Sequence, residues 1–167
     1  MEAGPHDGSL RVLTFREGVA ARVGHDLVLE VTRWRAAADP AAGTGELSAD
    51  PRSLEVREGR GGVKPLTDGD RAQIGRTIDD KVLRGQAIEY RAAAIRREGD
   101  ALAVEGELSL GGRTRPLDVR LAVRGARLAG RVTLRQSDWG ITPYRGMMGA
   151  LRVRDEVEVE VDLPAPR

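Results

Sequence analysis

From Ile88 to Leu163 the chain alternates apolar and charged residues almost without a break. Ile88, Tyr90, Ala92 and Ala94 form one such series, and Leu102, Val104, Gly106, Leu108 and Leu110 the next. Leu117, Val119, Leu121 and Val123 follow, then Leu128, Gly130, Val132 and Leu134, and finally Leu151, Val153, Val157, Val159, Val161 and Leu163. Residues between them are mostly Arg, Glu and Asp. A period of two puts successive side chains on opposite faces of an extended chain. One face is then dry and the other wet, which is the signature of antiparallel strands. The separators Glu98-Gly99-Asp100, Gly111-Gly112 and Gly125-Ala126 are short enough to be hairpin turns.

The first half of the chain is extended as well, but less regular. Leu10–Arg16 reads as a strand, and Val19–Val23 and Leu27–Ala37 as a long stretch with a bulge or bend at Gly24-His25-Asp26. Asp39–Gly45 is a loop by its Pro and Gly content. Glu46–Ala49 and Ser53–Arg57 resume the pattern around Pro51, and Gly59–Thr67 is a second loop, a connection or a gate at one end. One helix is predicted, over Asp68–Arg84. Asp68 or Asp70 can cap it, Ile74, Ile78 and Val82 recur every four residues, and Gly85 stands where a helix stops. A single apolar stripe on a charged helix needs a flat or open surface beneath it. Residues 1–8 read as a mobile tail, and 9–165 as a single domain.

About eight strands joined by hairpins, with one helix, favour an all-β fold: an antiparallel up-and-down barrel or a sandwich. A barrel of that size is filled by side chains or holds one small ligand. Here the dry face is Val, Leu, Ala and Gly, and the whole chain has two Trp, two Tyr and one Phe. Small residues fill space poorly. A dry void of ~300 Å³ would cost ~7 kcal/mol, which rivals the stability of a domain. The interior is therefore either tightly collapsed or occupied.

The scarce large side chains gather in Ser137–Gly149, which holds Trp139, Tyr144, Met147 and Met148. Such a loop is either a plug on the core or the rim of an apolar site. In Ser137-Asp138-Trp139-Gly140, Asp138 is placed to bond backbone amides at a corner.

With those elements in place, the chain resembles the YceI-like family of bacterial lipid-binding proteins. The carriers are VGHDLVLEV at 23–31, the helix leading into AIEYRA at 87–92, and GELSLGGRTRPLDV at 106–119. They continue in LRQSDWGI at 134–141 and RVRDEVEVEVDL at 152–163. The resemblance implies an elongated lipocalin-like antiparallel barrel holding an amphiphile, such as a polyisoprenoid chain, in an apolar interior. Many family members carry secretion signals. The opening residues MEAGPHDGSL show neither a basic nor an apolar signal region, so a cytoplasmic setting is expected.

Other chemistries find little support. Net charge is +1 with acids and bases interspersed, which argues against nucleic acid as a partner. No apolar run is long enough for an integral membrane segment. Cys is absent, so thiol chemistry and disulfides are excluded. Two histidines without HxH or HxxxH spacing give no metal motif, and no cofactor is implied. GxSxG is missing, and Gly59–Lys64 lacks the Walker spacing. His25 is the one catalytic candidate, yet neighbouring residues on a strand point apart, so Asp26 is badly placed to assist it.

The expected function is non-enzymatic binding, transport or sequestration of an apolar lipid or isoprenoid. Expected ligand contacts on the strands are Leu29, Val31, Tyr90, Leu108, Val119, Leu121 and Val132. On the loop they are Trp139, Tyr144, Met147 and Met148. The rivals are a structural or partner-binding module, such as a homodimer, and a hydrolase or isomerase built on His25.

Overall fold

The computed structural model describes residues 1–166. Its strands are β1 (Glu2–Ala3), β2 (Ser9–Thr14), β3 (Arg16–Glu17), β4 (Asp26–Val31), β5 (Trp34–Asp39), β6 (Thr44–Ala49) and β7 (Leu54–Arg60). Helix α1 (Asp68–Thr77) follows. Then come β8 (Ile88–Glu98), β9 (Ala101–Leu110), β10 (Arg113–Pro116), β11 (Val119–Arg124), β12 (Arg127–Arg135), β13 (Arg145–Gly146), β14 (Leu151–Val153) and β15 (Glu156–Pro164). The protein is mostly β, with one helix and a strongly curled antiparallel sheet that forms a half-barrel.

The main sheet runs β1-β5-β6-β8-β9-β11-β12-β15-β2-β4-β7, with β10 paired to β9. The hairpins predicted after β8, β9 and β11 are present. The order is not a simple meander, because β15 pairs with β2 and so joins the two ends of the sequence. A second, small sheet is built from β13, β14 and β3.

Curling follows from one bent hairpin. β4 and β5 are separated only by Thr32 and Arg33, and β6 and β7 only by residues 50–53. Yet β4 pairs β7 at one end of the sheet, and β5 pairs β6 near the other. The same hairpin therefore supplies both ends. Its corner is fastened by polar groups. Asp50 accepts from the Arg52 amide at 2.8 Å and from Arg33 Nη2 at 3.0 Å. The Thr32 amide donates to the Ser53 carbonyl at 2.8 Å, and the Asp50 amide to the Arg33 carbonyl at 3.1 Å. Ser53 is fully buried, its hydroxyl 2.8 Å from the Asp50 carbonyl and 3.2 Å from that of Arg33. Every polar group that this corner buries needs such a partner.

The helix begins at Asp68 as expected, but neither expected residue caps it. Thr67 is the N-cap: its hydroxyl accepts from the Asp70 amide, and the Asp70 carboxylate accepts from the Thr67 amide. Asp70 is thus the third helical residue of a capping box, not the cap. Beyond Thr77 the turns widen to the π form over Ile78–Leu83, and a left-handed Arg84 ends the element. Arg71 donates to the carbonyls of Val56 and Arg57 at 3.0 and 2.9 Å, so the helix covers the unpaired edge of β7.

Three further expectations are corrected. Residues 1–8 are not wholly a free tail: Glu2–Ala3 pair with Ala36–Ala37, and Ala3 is buried. A chain edge left open by β5 accepts any short extended segment, whatever its composition. Val19–Val23 is not extended, since Ala21–Val23 form a tight helical turn. The corner at Ser137 is held by Asp155 rather than Asp138: the Asp155 carboxylate accepts from the Ser137 amide and hydroxyl.

The corner yields two expectations. Ser53→Ala removes the hydroxyl donor that the Asp50 and Arg33 carbonyls share, while each keeps its backbone donor, and should lower unfolding free energy by about 1 kcal/mol in urea titration. The Asp50 carboxyl is drawn from 3.8 to about 2, chiefly by the Arg52 amide and then by Arg33 and the Arg52 side chain, against a cost of burial. A depressed folded pKa contributes stability above the unfolded value that is lost as pH falls through the folded one. Asp50→Asn should therefore lower the thermal midpoint at neutral pH. It should also flatten the acid loss of stability between 3.8 and about 2.

Candidate ligand cavity

The dry face of the curled sheet looks onto a cavity of about 600 Å³. It is bordered by Leu29 and Val31 from β4, Tyr90 from β8, Leu108 from β9, Val119 and Leu121 from β11, and Val132 from β12. Tyr144 reaches it from the loop before β13. The helix supplies the remaining wall with Ile74, Ile78 and Val82, so the apolar stripe has found its open surface. Sequence reasoning had not assigned those three to the site, although the stripe was the signal for them. Leu151, which the alternation did include, borders it too, as do Leu66, Arg16 and Gln136, which the alternation did not mark because they lie in or beside loops.

Three loop residues do not line the cavity. Trp139 is buried, its indole Nε1–H donating to the Leu108 carbonyl at 2.8 Å. It packs in a small core with Leu134, Ile141 and Val157, where it backs the wall instead of facing inward. Met147 and Met148 are 60% and 102% exposed. Their backbones are left-handed, with φ of 49° and 56°, and this fold of the loop carries both side chains away from the interior.

Tyr90 places a phenol on the sheet side of the cavity. A Cβ at Gly106 would stand 2.6 Å from its hydroxyl oxygen, so only glycine opposite leaves the ring its room. The hydroxyl donates to the Leu117 carbonyl at 2.9 Å. Burial, and then the nearby Asp118 charge, push its pKa up to about 12.

The end of the cavity bordered by Val23, His25, Leu66 and Tyr144, here termed its mouth, is built from the turn around residues 18–25, the loop 61–66 and the loop 142–150. Arg16 holds the first two together, donating from Nη1 to the carbonyls of Gly24 at 2.6 Å and Arg60 at 3.2 Å. Its amide donates to Asp26 at 2.8 Å, which commits that carboxylate. Gly62 has φ of +77°, and a Cβ there would strike the His25 ring at 2.3 Å. His25 Nε2 is 2.8 Å from the Lys64 carbonyl. The imidazole is thus tied to backbone, and Asp26 serves Arg16, so the pair that catalysis would require is not assembled. Gln136 is the buried polar group of this end, donating to the Arg154 carbonyl at 3.0 Å.

A model of the YceI-like domain matches residues 19–165. The chain belongs to this family. Burkholderia cenocepacia BcnA is similar in structure, with a TM-score of 0.65 at 16% identity over 95% of this chain and 96% of that one. The Campylobacter jejuni YceI protein is similar with a TM-score of 0.57 at 9% identity, over 79% and 78% of the two chains. No curated protein sequence matches. In this YceI-like domain β2 precedes the matched residues, yet it sits between β15 and β4 and is integral to the sheet. Among the described residues no helix is long and apolar enough to cross a membrane.

Because the folded pKa of Tyr90 lies above 10.0, its contribution to stability is whole below that pH and lost as pH climbs to about 12. Ultraviolet titration of a Tyr144→Phe background should show the remaining phenolate forming near the upper value. Tyr90→Phe should remove the alkaline loss of stability over the same window.

Proposed function

We propose that this YceI-like domain binds an apolar amphiphile, a polyisoprenoid or another lipid, inside the curled sheet, and that it does so without catalysis. The supporting observation is the cavity itself. At about 24 cal/mol per Å³, a dry void of 600 Å³ corresponds to roughly 14 kcal/mol of lost packing, as much as a whole domain's stability. Flooding it leaves apolar wall in contact with water, at about 25 cal/mol for each Å². A bound chain relieves either cost. Some ten buried methylenes would contribute about 8 kcal/mol before the cost of ordering the ligand. The polar groups at the mouth, Arg16, His25 and Gln136, are where a head group would come to rest. Leu29, Val31, Tyr90, Leu108, Val119, Leu121, Val132 and Tyr144 would meet the chain. The engaged states of His25 and Asp26 favour binding over the hydrolase or isomerase reading.

The protein purified without detergent should release a lipid into organic solvent, identified by mass spectrometry. The delipidated protein should take up cis-parinaric acid with a rise in fluorescence. Val132→Phe, which adds bulk to the hollow wall, should weaken that uptake at least tenfold while leaving the thermal midpoint unchanged or higher. An empty extract together with unaltered uptake by the variant would remove the reading.

A further inference from the structure

We infer that the mouth is a docking surface for a lipid bilayer containing anionic lipids. The large apolar side chains that the described residues leave exposed are Val19, Val23, Val63, Tyr144, Met147 and Met148. All six belong to the three segments around the mouth. Those segments are joined: the Ala20 amide donates to the Ala150 carbonyl at 2.9 Å, β3 pairs with β14, and His25 contacts the Lys64 carbonyl. The opposite end, with its Gly99 and Gly125 turns, carries no such residue. Apolar side chains scattered by chance need no explanation, but a set confined to one rim does.

Charge at the same rim favours a bilayer as the occupant. Residues 60–66 and 142–154 contain no Asp or Glu, and 15–26 contain only Glu17 and Asp26. Those two already face Arg152 at 3.4 Å and Arg16 at 3.8 Å. Arg22, Lys64, Arg145 and Arg154 are exposed, and among the described residues none has a carboxylate within salt-bridge distance. Apolar tips interleaved with uncompensated cations match the two layers of a membrane interface: acyl boundary beneath, anionic head groups above. The strained backbone at Met147 and Met148 supports this assignment. Two consecutive L residues in the left-handed region are retained, and the result is two flexible apolar side chains held into solvent. Docked in this way, the mouth opens onto the acyl layer, and a lipid passes into the cavity without crossing water.

This docking stands on the rim alone and does not require that the cavity carry a lipid. The test is co-sedimentation of the full chain with vesicles of phosphatidylcholine, with or without phosphatidylglycerol. The protein should pellet with the mixed vesicles, less so with pure phosphatidylcholine, and less again in high salt. The double variant Met147→Asn with Met148→Asn keeps residues that tolerate the left-handed backbone and should stay in the supernatant. Lys64→Ala and Arg145→Ala should each weaken binding roughly fivefold. None of these four residues lines the cavity, so cis-parinaric acid uptake in the absence of vesicles should be unchanged, which also reports that the variants are folded. Failure to pellet with anionic vesicles overturns the inference, as does pelleting that the variants leave unaltered. A dimer by light scattering that the methionine variant converts to monomer, without vesicle binding, overturns it in favour of a second copy of this chain.

Discussion

The structure depends on a corner. Between Val31 and Trp34, and again between Ala49 and Leu54, one long hairpin changes direction. Its halves then serve opposite ends of a single sheet, and the covalent chain draws those ends together. An unbent hairpin would leave a flat sheet with two long open edges and an exposed apolar face. Polar bonds make the bend: Thr32 to Ser53, Asp50 to Arg33, and Ser53 back to Asp50. Such bonds contribute about 1 kcal/mol each when made, and more is lost when a buried partner is left alone. The corner is therefore specific, because only the bent geometry satisfies all of them.

Once the sheet is curled, its dry face sets what it encloses. Leu, Val, Ala and Gly do not reach far enough to fill the space across from them. The walls are held by ladder hydrogen bonds along the strands and by a core of buried side chains, among them Leu29, Trp34, Leu54, Leu121 and Leu163. Ion pairs on the wet face, such as Arg127 with Asp162 and Arg135 with Glu156, are exposed and contribute little singly. Tyr90 shows how the space is kept. Its ring is accommodated by Gly106, and its hydroxyl is bound to the Leu117 carbonyl, so this large residue of the sheet is fixed in place.

The second half of the chain was legible because its alternation is nearly unbroken, and every predicted hairpin from Ile88 to Arg135 is present. Local signals also found the helix and its stripe. What escaped were features set by distant partners. The pairing of β15 with β2 closes a gap of more than a hundred residues and leaves no local mark. The tail joined the sheet because β5 offered an edge, a fact invisible in MEAGPHDG. At the site, period puts Leu29, Val31, Tyr90, Leu108, Val119, Leu121 and Val132 on the dry face, and that face borders the cavity. The loop defeated the same logic: Trp139, Met147 and Met148 have no period, and backbone conformation decides where each points. Size suggested that all four large loop residues act together, whereas Trp139 backs the wall, Tyr144 borders the cavity and the methionines face out.

The way into the cavity follows from where the fold is weakest. Raising the helix would break the Arg71 bonds to β7 and strip Ile74, Ile78 and Val82 from the interior, so that wall is costly to move. Parting the strands would break ladders, and the corner resists any unrolling of the sheet. The loop 142–150 is held by less. It has the two-residue pairing of β13 with β14, the Ala150 amide on Met147, the Ala20 amide on Ala150, and the Val153 amide on Tyr144. Local opening free energies scale with the contacts that must be lost. Moving this loop, with Tyr144 carried on it, thus costs less than lifting the helix or parting the strands. The same segment bears the exposed methionines and the uncompensated Arg145. Access to the interior and the surface chemistry of the rim are thereby placed on one element.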